Sequence, residues 1–191
     1  MRYLFDLILF FCVAAVVGLG LTGLAVSRGV MFGGVTSGPW TAYPATGTPQ
    51  PDPYARASIA RRGRAPLALG DGLEFRSETD DDGERLTRNC DYLIEGGEPA
   101  ARFWTISLHT RDGADPVNLA GRTGFSSREL LRDERGGFRI LIAGEARPGN
   151  WLPAPTVDFL AVLRLYDTPL STGGVRTATL EFPTIRRIDC R

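Results

Sequence analysis

The residue types that most often carry enzyme chemistry are sparse in this sequence. His109 is the only histidine, which excludes a site built from several histidines of one chain. It occupies one of the polar positions in a segment where apolar and polar residues alternate. This position favours an exposed histidine on a strand over a catalytic one. Ser126 and Ser127 lack a Gly-x-Ser-x-Gly setting, so a strained turn that exposes a nucleophilic serine is not predicted there.

Acidic residues cluster at positions 79–84, which read TDDDGE. A calcium-binding EF-hand loop needs glycine at its sixth position and a bidentate glutamate at its twelfth. Counted from Asp80, those positions hold Arg85 and Asp91, so the match fails and no metal ligand is predicted. We interpret the cluster as a hairpin turn with solvated acids.

A proline-rich segment offers an aromatic side chain to a ligand. Pro148-Gly149-Asn150-Trp151-Leu152-Pro153-Ala154-Pro155 predicts a stiff loop, because proline fixes the backbone and leaves little conformational freedom to lose. Trp151 either wedges against a sheet as a structural residue or presents its indole to a partner.

Cysteine usage predicts a disulfide in an oxidising compartment. Cys12 lies in an apolar run, and Cys90 and Cys190 are the only other cysteines. Each falls on the apolar parity of its strand, Cys90 with Tyr92 and Cys190 with Ile188, so the two could meet. We predict a Cys90–Cys190 bond; two separate buried thiols are the alternative.

The run from Leu7 to Val26 contains twenty residues and no charge. At about 1.5 Å per residue it spans roughly the 30 Å hydrocarbon core of a bilayer. We predict a transmembrane anchor at residues 1–27 in the inner membrane, single-pass, with the C-terminal domain in the periplasm. Ala25-Val26-Ser27 also fits a small-x-small cleavage site, so a cleaved signal peptide is the alternative.

The remaining chain divides into a tether and a domain of balanced charge. The 22 basic residues are all arginine and equal the 22 acids, and no basic patch emerges, which excludes a typical nucleic-acid binder. Residues 28–51 are rich in glycine, proline and threonine and predict an extended tether. Residues 52–191 predict the folded domain.

The domain opens with a predicted helix. Asp52 is a favourable N-cap, Pro53 suits the first helical position, and Gly63 stops the helix. Its arginines gather towards the C-terminal end: Arg56, Arg61, Arg62 and Arg64. They indicate either a solvated face that complements the helix dipole or a contact with an anion or lipid headgroup near the membrane.

Beyond this helix the apolar residues follow a period of two, which is typical of half-buried strands. The alternation marks segments around Leu73, Trp104, Phe138 and Leu180. The segment Phe159–Tyr166 is apolar on nearly both faces, which indicates a central strand.

The same pattern sets the fold class. Ser126-x-x-Glu129 fits the capping box of one short helix, and no helix of crossover length follows each strand. We therefore predict a mainly β protein, an antiparallel β-sandwich or jelly-roll-like domain with one or two short helices, preceded by an N-terminal transmembrane helix.

Short motifs occur in a characteristic order over roughly residues 38–183: Gly38-Pro39-Trp40, Asp52-Pro53-Tyr54-x-Arg56-Ala57, Asp82-Gly83, Phe103-Trp104-Thr105-Ile106, Asn150 to Pro155, Phe159 and Leu163-Arg164-Leu165-Tyr166. In this order they resemble the family named domain of unknown function 1214. The resemblance implies a β-sandwich similar to a jelly roll, often linked to a second family numbered 1254. We expect that second domain on a separate partner chain. The resemblance implies no catalytic residue and no cofactor.

Two functions of different classes follow from the sequence. The first is a membrane-tethered extracytoplasmic binding or assembly module of the bacterial envelope, which docks a glycan-like ligand or a separate protein such as a member of the companion family. The second is a hydrolase-like enzyme acting with that partner chain, for which Asp80, Asp82 and Asp158 would have to converge in a cleft. We favour the module and assign no catalytic residue, metal ligand or cofactor. The candidate binding residues are Trp40, Arg56, Asn150 and Trp151.

Overall fold

The computed structural model describes residues 2–63, 65–118, 120–171 and 181–191. The elements in these ranges are α1 (Arg2–Arg28), β1 (Val35–Ser37), β2 (Trp40–Ala42), α2 (Pro53–Arg62), β3 (Gly72–Ser77), β4 (Cys90–Gly96), β5 (Phe103–Thr110), β6 (Gly124–Ser126), β7 (Phe138–Ala143), β8 (Asn150–Pro153), β9 (Phe159–Tyr166) and β10 (Thr184–Cys190). Short 3₁₀ turns occupy Pro44–Gly47 and Pro169–Ser171. The strand predicted around Leu180 is centred outside the described residues.

The strands form two sheets that pack face to face. One has the order β1-β2-β3-β9-β5-β6 and the other the order β10-β4-β7-β8. Their inner faces share one buried core, in which the ring centroids of Trp104 and Phe138 lie 4.7 Å apart and those of Tyr92 and Phe159 lie 5.8 Å apart. The chain is therefore a mainly β sandwich, as predicted. The described strand pairs are antiparallel except β7–β8, which is parallel.

The strands with clear sequence periodicity form where it predicts them. The segments around Leu73, Trp104 and Phe138 are β3, β5 and β7. The strand β9 lies between β3 and β5, and its residues Phe159 to Leu163 are buried on both faces. This placement confirms the prediction of a central strand.

The prediction of a tether along the whole of residues 28–51 was wrong. Within it, β1 and β2 pair with each other and then with β3, so they extend the first sheet. Trp40 is fully buried, and its indole N–H donates to the Pro183 carbonyl over 2.6 Å. The strands have three residues each and turn through Gly38 at φ +55°, which is too short a run for a period of two to show in the sequence.

The two predicted short helices had different outcomes. For α2, the Asp52 carboxylate accepts hydrogen bonds from the Tyr54 and Ala55 amides, and Gly63 ends the helix at φ +64°, as predicted. The capping-box prediction at Ser126 was wrong. The Glu129 carboxylate does accept a hydrogen bond from the Ser126 amide over 3.0 Å. The Glu129 amide, however, donates a hydrogen bond to the Ser126 carbonyl over 3.1 Å. These bonds close a single turn after β6.

The helix α1 is long and apolar enough to cross a membrane. It has 27 residues, and its most apolar 18-residue segment has a mean hydropathy of 2.6 and is not buried against the domain. A signal sequence would have the same length, composition and position near the N-terminus.

Cys90 and Cys190 form the predicted disulfide. The two residues lie directly opposite each other at one end of the β4–β10 pair, with 4.0 Å between their Cα atoms. The prediction that Ile188 shares the face of Cys190 was wrong. A β-bulge between Arg187 and Asp189 interrupts the alternation, and the Ile188 side chain is 54% exposed.

Candidate functional site

The outward face of the four-stranded sheet carries a shallow groove of about 930 Å³, which we call the outer groove. Its apolar floor consists of Leu93, Leu131, Leu141 and Ile188. Its rim is charged and is formed by Asp81, Asp82, Arg132, Asp133, Arg139, Arg186 and Arg187.

Strand parity and the bulge together build this floor. Leu93 of β4 and Leu141 of β7 pair directly, while their neighbours Tyr92 and Ile142 fill the core from the other face. The bulge then adds Ile188 from β10 to the same surface. The groove therefore exposes more apolar surface than the same sheet would without the bulge in β10.

A row of side chains crosses all four strands at this level. Arg186 pairs with Leu93, Leu93 with Leu141, and Leu141 with Trp151. Trp151 is half-buried, and its indole N–H donates to the Ala143 carbonyl over 3.0 Å. Its ring thus extends the apolar row to β8, the edge strand, with the indole orientation already fixed.

Acidic neighbours pair with the arginines of the rim. Glu95 binds Arg139, with 3.2 Å between Nε and Oε2, and also binds Arg186. Arg187 lies 2.9 Å from a carboxylate oxygen of Asp80, which is 1% exposed. Because these positive charges are already paired, the rim offers little net attraction to a polyanion and suits a mixed protein surface better.

The turn at residues 79–84 binds β10 through the side chains of Asp80 and Asp81. Asp80 is buried in this contact, so the prediction of solvated acids was wrong for that residue. Its second carboxylate oxygen accepts from the Glu84 amide over 2.9 Å. Asp81 accepts from the Ile185 amide over 2.8 Å. Partial burial raises the pKa of Asp81, and the charges of Asp80 and Asp82 add to this rise, while the Ile185 hydrogen bond opposes it.

The three acids that an enzyme was expected to bring together do not converge. Asp80 is buried in its ion pair, and Asp82 lies on the rim of the outer groove. Asp158 lies in a separate depression beside Arg88 and pairs with Arg111 at 3.5 Å.

The candidate binding residues occupy different environments. Asn150 is 8% exposed, and its amide bonds the Leu131 amide and the carbonyls of Leu131 and Arg139. The segment predicted as a loop contains β8, and Asn150 both positions that strand and lines the outer groove. Trp151 follows on β8, opposite Leu141 and beside the groove. Trp40 belongs to the core, where no ligand reaches its ring. Arg56 is exposed on α2 and donates to the Pro51 carbonyl over 3.2 Å.

Sequence reasoning missed one constellation on the other sheet. The Ser107 hydroxyl lies 2.9 Å from Nε2 of His109, and a carboxylate oxygen of Asp115 lies 3.1 Å from Nδ1. These atoms follow the order of a serine–histidine–aspartate relay. The sequence shows that Ser107 and His109 are two residues apart and so share one face of the strand. It does not show that Asp115 lies beside the imidazole, because that depends on the path of the β5–β6 connection.

His109 is 6% exposed, so the prediction of an exposed strand histidine was wrong. The β5–β6 connection contributes Asp115 to the imidazole, and its next residue, Pro116, is buried. A polar strand face becomes buried when another segment folds over it, and residue parity does not report such a segment.

The same sheet face holds a second charged cluster near α2. Glu74 of β3 binds Arg76 at 2.6 Å and Arg164 of β9 at 2.7 Å. Burial acts to raise the pKa of Glu74, but the two guanidinium groups outweigh it and hold the pKa below its ordinary value. A cavity of about 70 Å³ lies between this face and α2, which is too small for a drug-sized ligand.

Comparison with known proteins supports a family and a fold. The model of the family described as "Protein of unknown function (DUF1214)" matches residues 71–170. No curated protein matches the chain significantly. The VPA0106 protein from Vibrio parahaemolyticus is similar at 22% identity with a TM-score of 0.58, over 71% of this chain and 35% of that chain. An uncharacterized protein from Burkholderia cenocepacia has 19% identity and a TM-score of 0.41, over 63% of this chain and 30% of that chain. This chain thus spans about a third of the length of either solved relative.

Proposed function

Because this chain belongs to the DUF1214 family of proteins of unknown function, we propose a function from its surface: it is a membrane-tethered binding or assembly module of the bacterial envelope. The observation that carries this proposal is the outer groove, whose floor consists of Leu93, Leu131, Leu141 and Ile188, with Ile188 54% exposed. Trp151 pairs with Leu141 beside this floor. A contiguous apolar patch with a polar rim is typical of a protein interaction site.

The chemistry of the groove favours a protein as its ligand. Beside the groove, Trp151 supplies a half-buried aromatic ring whose indole N–H is bound to the Ala143 carbonyl, and a preorganised aromatic anchor loses little entropy on binding. The arginines of the rim have acidic partners within the domain. A partner with apolar anchors and mixed charges fits this surface better than a polyanion does.

We propose a separate envelope protein of the companion family numbered 1254 as the partner. The matched part of the Vibrio relative is 35% of that chain, so its sandwich is covalently joined to a much longer polypeptide. We propose that the sandwich of this chain likewise contacts additional protein, supplied by a second chain. The groove is the surface that this second protein would cover.

The disulfide and α1 support the proposed compartment. The Cys90–Cys190 bond suits an oxidising compartment, because cytosolic thiols are kept reduced. With α1 as an uncleaved span, the protein is a single-pass inner-membrane protein with its domain in the periplasm.

The test is partner capture by groove variants. The full chain is solubilised in detergent with a co-expressed family-1254 protein, and bound partner is quantified after affinity purification. Ile188→Arg and Leu131→Arg place charges on exposed floor positions, so they should abolish capture with little change in melting temperature. The matched control is Val117→Arg, at a position that is 84% exposed outside the groove. Undiminished capture by both groove variants would remove the proposal.

The Ser107–His109–Asp115 constellation supports a second candidate, a hydrolase of acyl substrates. In that reaction the Ser107 oxygen bonds to the acyl carbon while Nε2 of His109 takes the hydroxyl proton; the bond from the acyl carbon to the leaving group breaks, and the imidazolium gives that proton to the leaving group. Water, deprotonated by the same imidazole, then attacks the acyl-enzyme, which releases the acid and returns the proton to the Ser107 oxygen. Asp115, which is close to Nδ1, would stabilise the imidazolium.

A fluorophosphonate probe distinguishes this candidate from the module. Covalent labelling that is lost in Ser107→Ala and His109→Gln would favour the hydrolase. A chain that captures its partner but stays unlabelled would favour the binding module.

A further inference from the structure

We propose that α2 binds the headgroups of anionic phospholipids at the membrane surface, beside the end of α1. This inference rests on the part of the proposed function in which α1 spans the membrane. It adds a lipid contact of the domain itself, separate from the outer groove.

Charge is distributed unevenly along the chain. Residues 1–70 contain six arginines and two acids, whereas residues 71–191 contain sixteen arginines and twenty acids. No acidic residue occurs between Asp52 and Asp71, and this interval carries four arginines. The excess positive charge therefore follows the apolar helix directly, and the excess negative charge lies in the sandwich.

The fold places this basic interval against the end of α1. The helices α1 and α2 are in contact, and the rings of Phe32 and Tyr54 pack edge to face with 5.5 Å between their centroids. Ala25 and Val26 near the end of α1 are half-buried, whereas earlier residues of the helix are exposed. If α1 spans the bilayer, α2 lies at the level of the headgroups.

The arginines at this junction differ from those of the outer groove. Arg28, Arg56 and Arg61 are exposed, and among the described ion pairs none joins them to a carboxylate. Exposed, unneutralised guanidinium groups beside a bilayer attract anionic headgroups through charge-assisted hydrogen bonds to phosphate. The position next to the span selects a lipid as the source of that phosphate.

The experiment measures how deeply α2 lies in the bilayer surface. The full chain carries Cys12→Ser and Ala60→Cys, and the introduced thiol on the exposed side of α2 is labelled with an environment-sensitive fluorophore. The native disulfide leaves no other free thiol. The labelled chain is placed in nanodiscs of phosphatidylcholine alone or mixed with phosphatidylglycerol, and quenching by aqueous acrylamide is recorded.

We expect a blue-shifted emission and weaker quenching in the anionic nanodiscs, both lost in Arg56→Gln/Arg61→Gln. The matched control is Arg85→Gln/Arg135→Gln, which removes two exposed arginines of the sandwich and should retain both effects. Equal quenching in the two lipid compositions would overturn the inference. So would protection produced in neutral nanodiscs by inorganic phosphate alone.

Incorporation and partner capture separate the two proposals. Incorporation into nanodiscs with equal quenching in both lipid compositions would rule out only the proposed lipid contact of α2. Failure of the chain to incorporate would also rule out α1 as a membrane anchor. Partner capture in detergent is measured independently of either lipid result.

Discussion

Asn150 shows how one side chain can be structural at a place where the sequence suggests a ligand contact. Its amide group spans two segments, since it bonds Leu131 on one side and the Arg139 carbonyl of β7 on the other. It therefore fixes β8 beside β7 and supports the indole of Trp151. Its polar atoms are used by hydrogen bonds within the fold, which hold β8 at the edge of the groove.

Substitution of Asn150 should destabilise the domain in a graded way. Asn150→Ala leaves buried backbone groups without partners and should lower the free energy of unfolding by about 2 kcal/mol. Asn150→Asp has the same shape but turns a carboxylate oxygen towards two carbonyls, so the loss should be larger. Chemical denaturation measures both, and Asn89→Ala on the surface is the control. Equal stability of the Ala and Asp variants would contradict the hydrogen-bond assignment.

The stability contributed by Glu74 should depend on pH. Its folded-state pKa is lowered by Arg76 and Arg164 against the effect of burial, so the unfolded chain binds the proton more readily. The stabilisation is present above the unfolded pKa of about 4.3 and is lost as pH falls through the folded value. Glu74→Gln should be less stable than the wild type at neutral pH, and the difference should shrink in acid.

Melting curves over a pH series measure this difference. Glu84→Gln, at an exposed position of the 79–84 turn, is the control and should track the wild type. A gap between wild type and Glu74→Gln that stays constant from neutral to acidic pH would contradict the role of the ionised carboxylate.

At the same scale, the sequence misassigned the residues whose burial depends on distant segments. Trp40 was a candidate binding residue, yet the Pro183 carbonyl accepts its indole N–H and the core surrounds its ring. His109 follows polar parity, yet the β5–β6 connection covers it. Local spacing predicts which face a side chain takes, but it does not predict what covers that face.

At the scale of elements, the sequence predicts the long strands and misses the short ones. β5 and β9 have eight residues each, enough for alternation or a continuous apolar run to be recognised. β1, β2 and β6 have three residues, less than two full periods. β8 contains a proline and pairs in parallel with β7, and a proline-rich segment more often predicts a loop.

The outer groove is the part of the site that no local pattern predicts. Its floor needs the bulge after Arg187, which moves Ile188 outward. Simple alternation places Ile188 on the same face as Cys190, as the sequence analysis assumed. One extra residue in an edge strand thus places Ile188 in the outer groove, on a different face from the disulfide two positions away.

Loss of the disulfide should weaken β10 more than the rest of the sandwich. The bond closes a loop with a sequence separation of 100, for which chain entropy gives about 4–5 kcal/mol as an upper figure. Cys90→Ala/Cys190→Ala should lower the free energy of unfolding and increase amide exchange along β10. Cys12→Ala is the control. A wild-type unfolding midpoint that reductant does not move would contradict this expectation.

At the scale of the whole molecule, three features separate along the chain. An apolar helix comes first, an arginine-rich helix lies against its end, and a sandwich with excess acid follows. The outer groove belongs to the four-stranded sheet, whereas α2 lies against the end of α1. The two proposed contacts, a lipid surface at α2 and a protein partner at the outer groove, would therefore use different parts of the structure.

The topology of the chain is the prediction on which this arrangement depends. Arg2 and Arg28 flank the apolar run on opposite sides, so the positive-inside rule gives almost no preference. The disulfide gives the stronger argument, because a domain held in the cytoplasm would meet a reducing thiol pool. A fluorescent reporter that matures only in the cytoplasm, fused after Arg191, should therefore stay dark.

An alkaline phosphatase reporter fused at the same position should be active, because that enzyme needs an oxidising compartment. A chain lacking residues 1–28 is the control and should reverse both signals. The mature N-terminus then decides between the two fates of α1: an intact Met1 shows an anchor, and a start just after residues 25–27 shows a cleaved signal. Bright fluorescence from the full chain would place the sandwich in the cytoplasm and remove the envelope role.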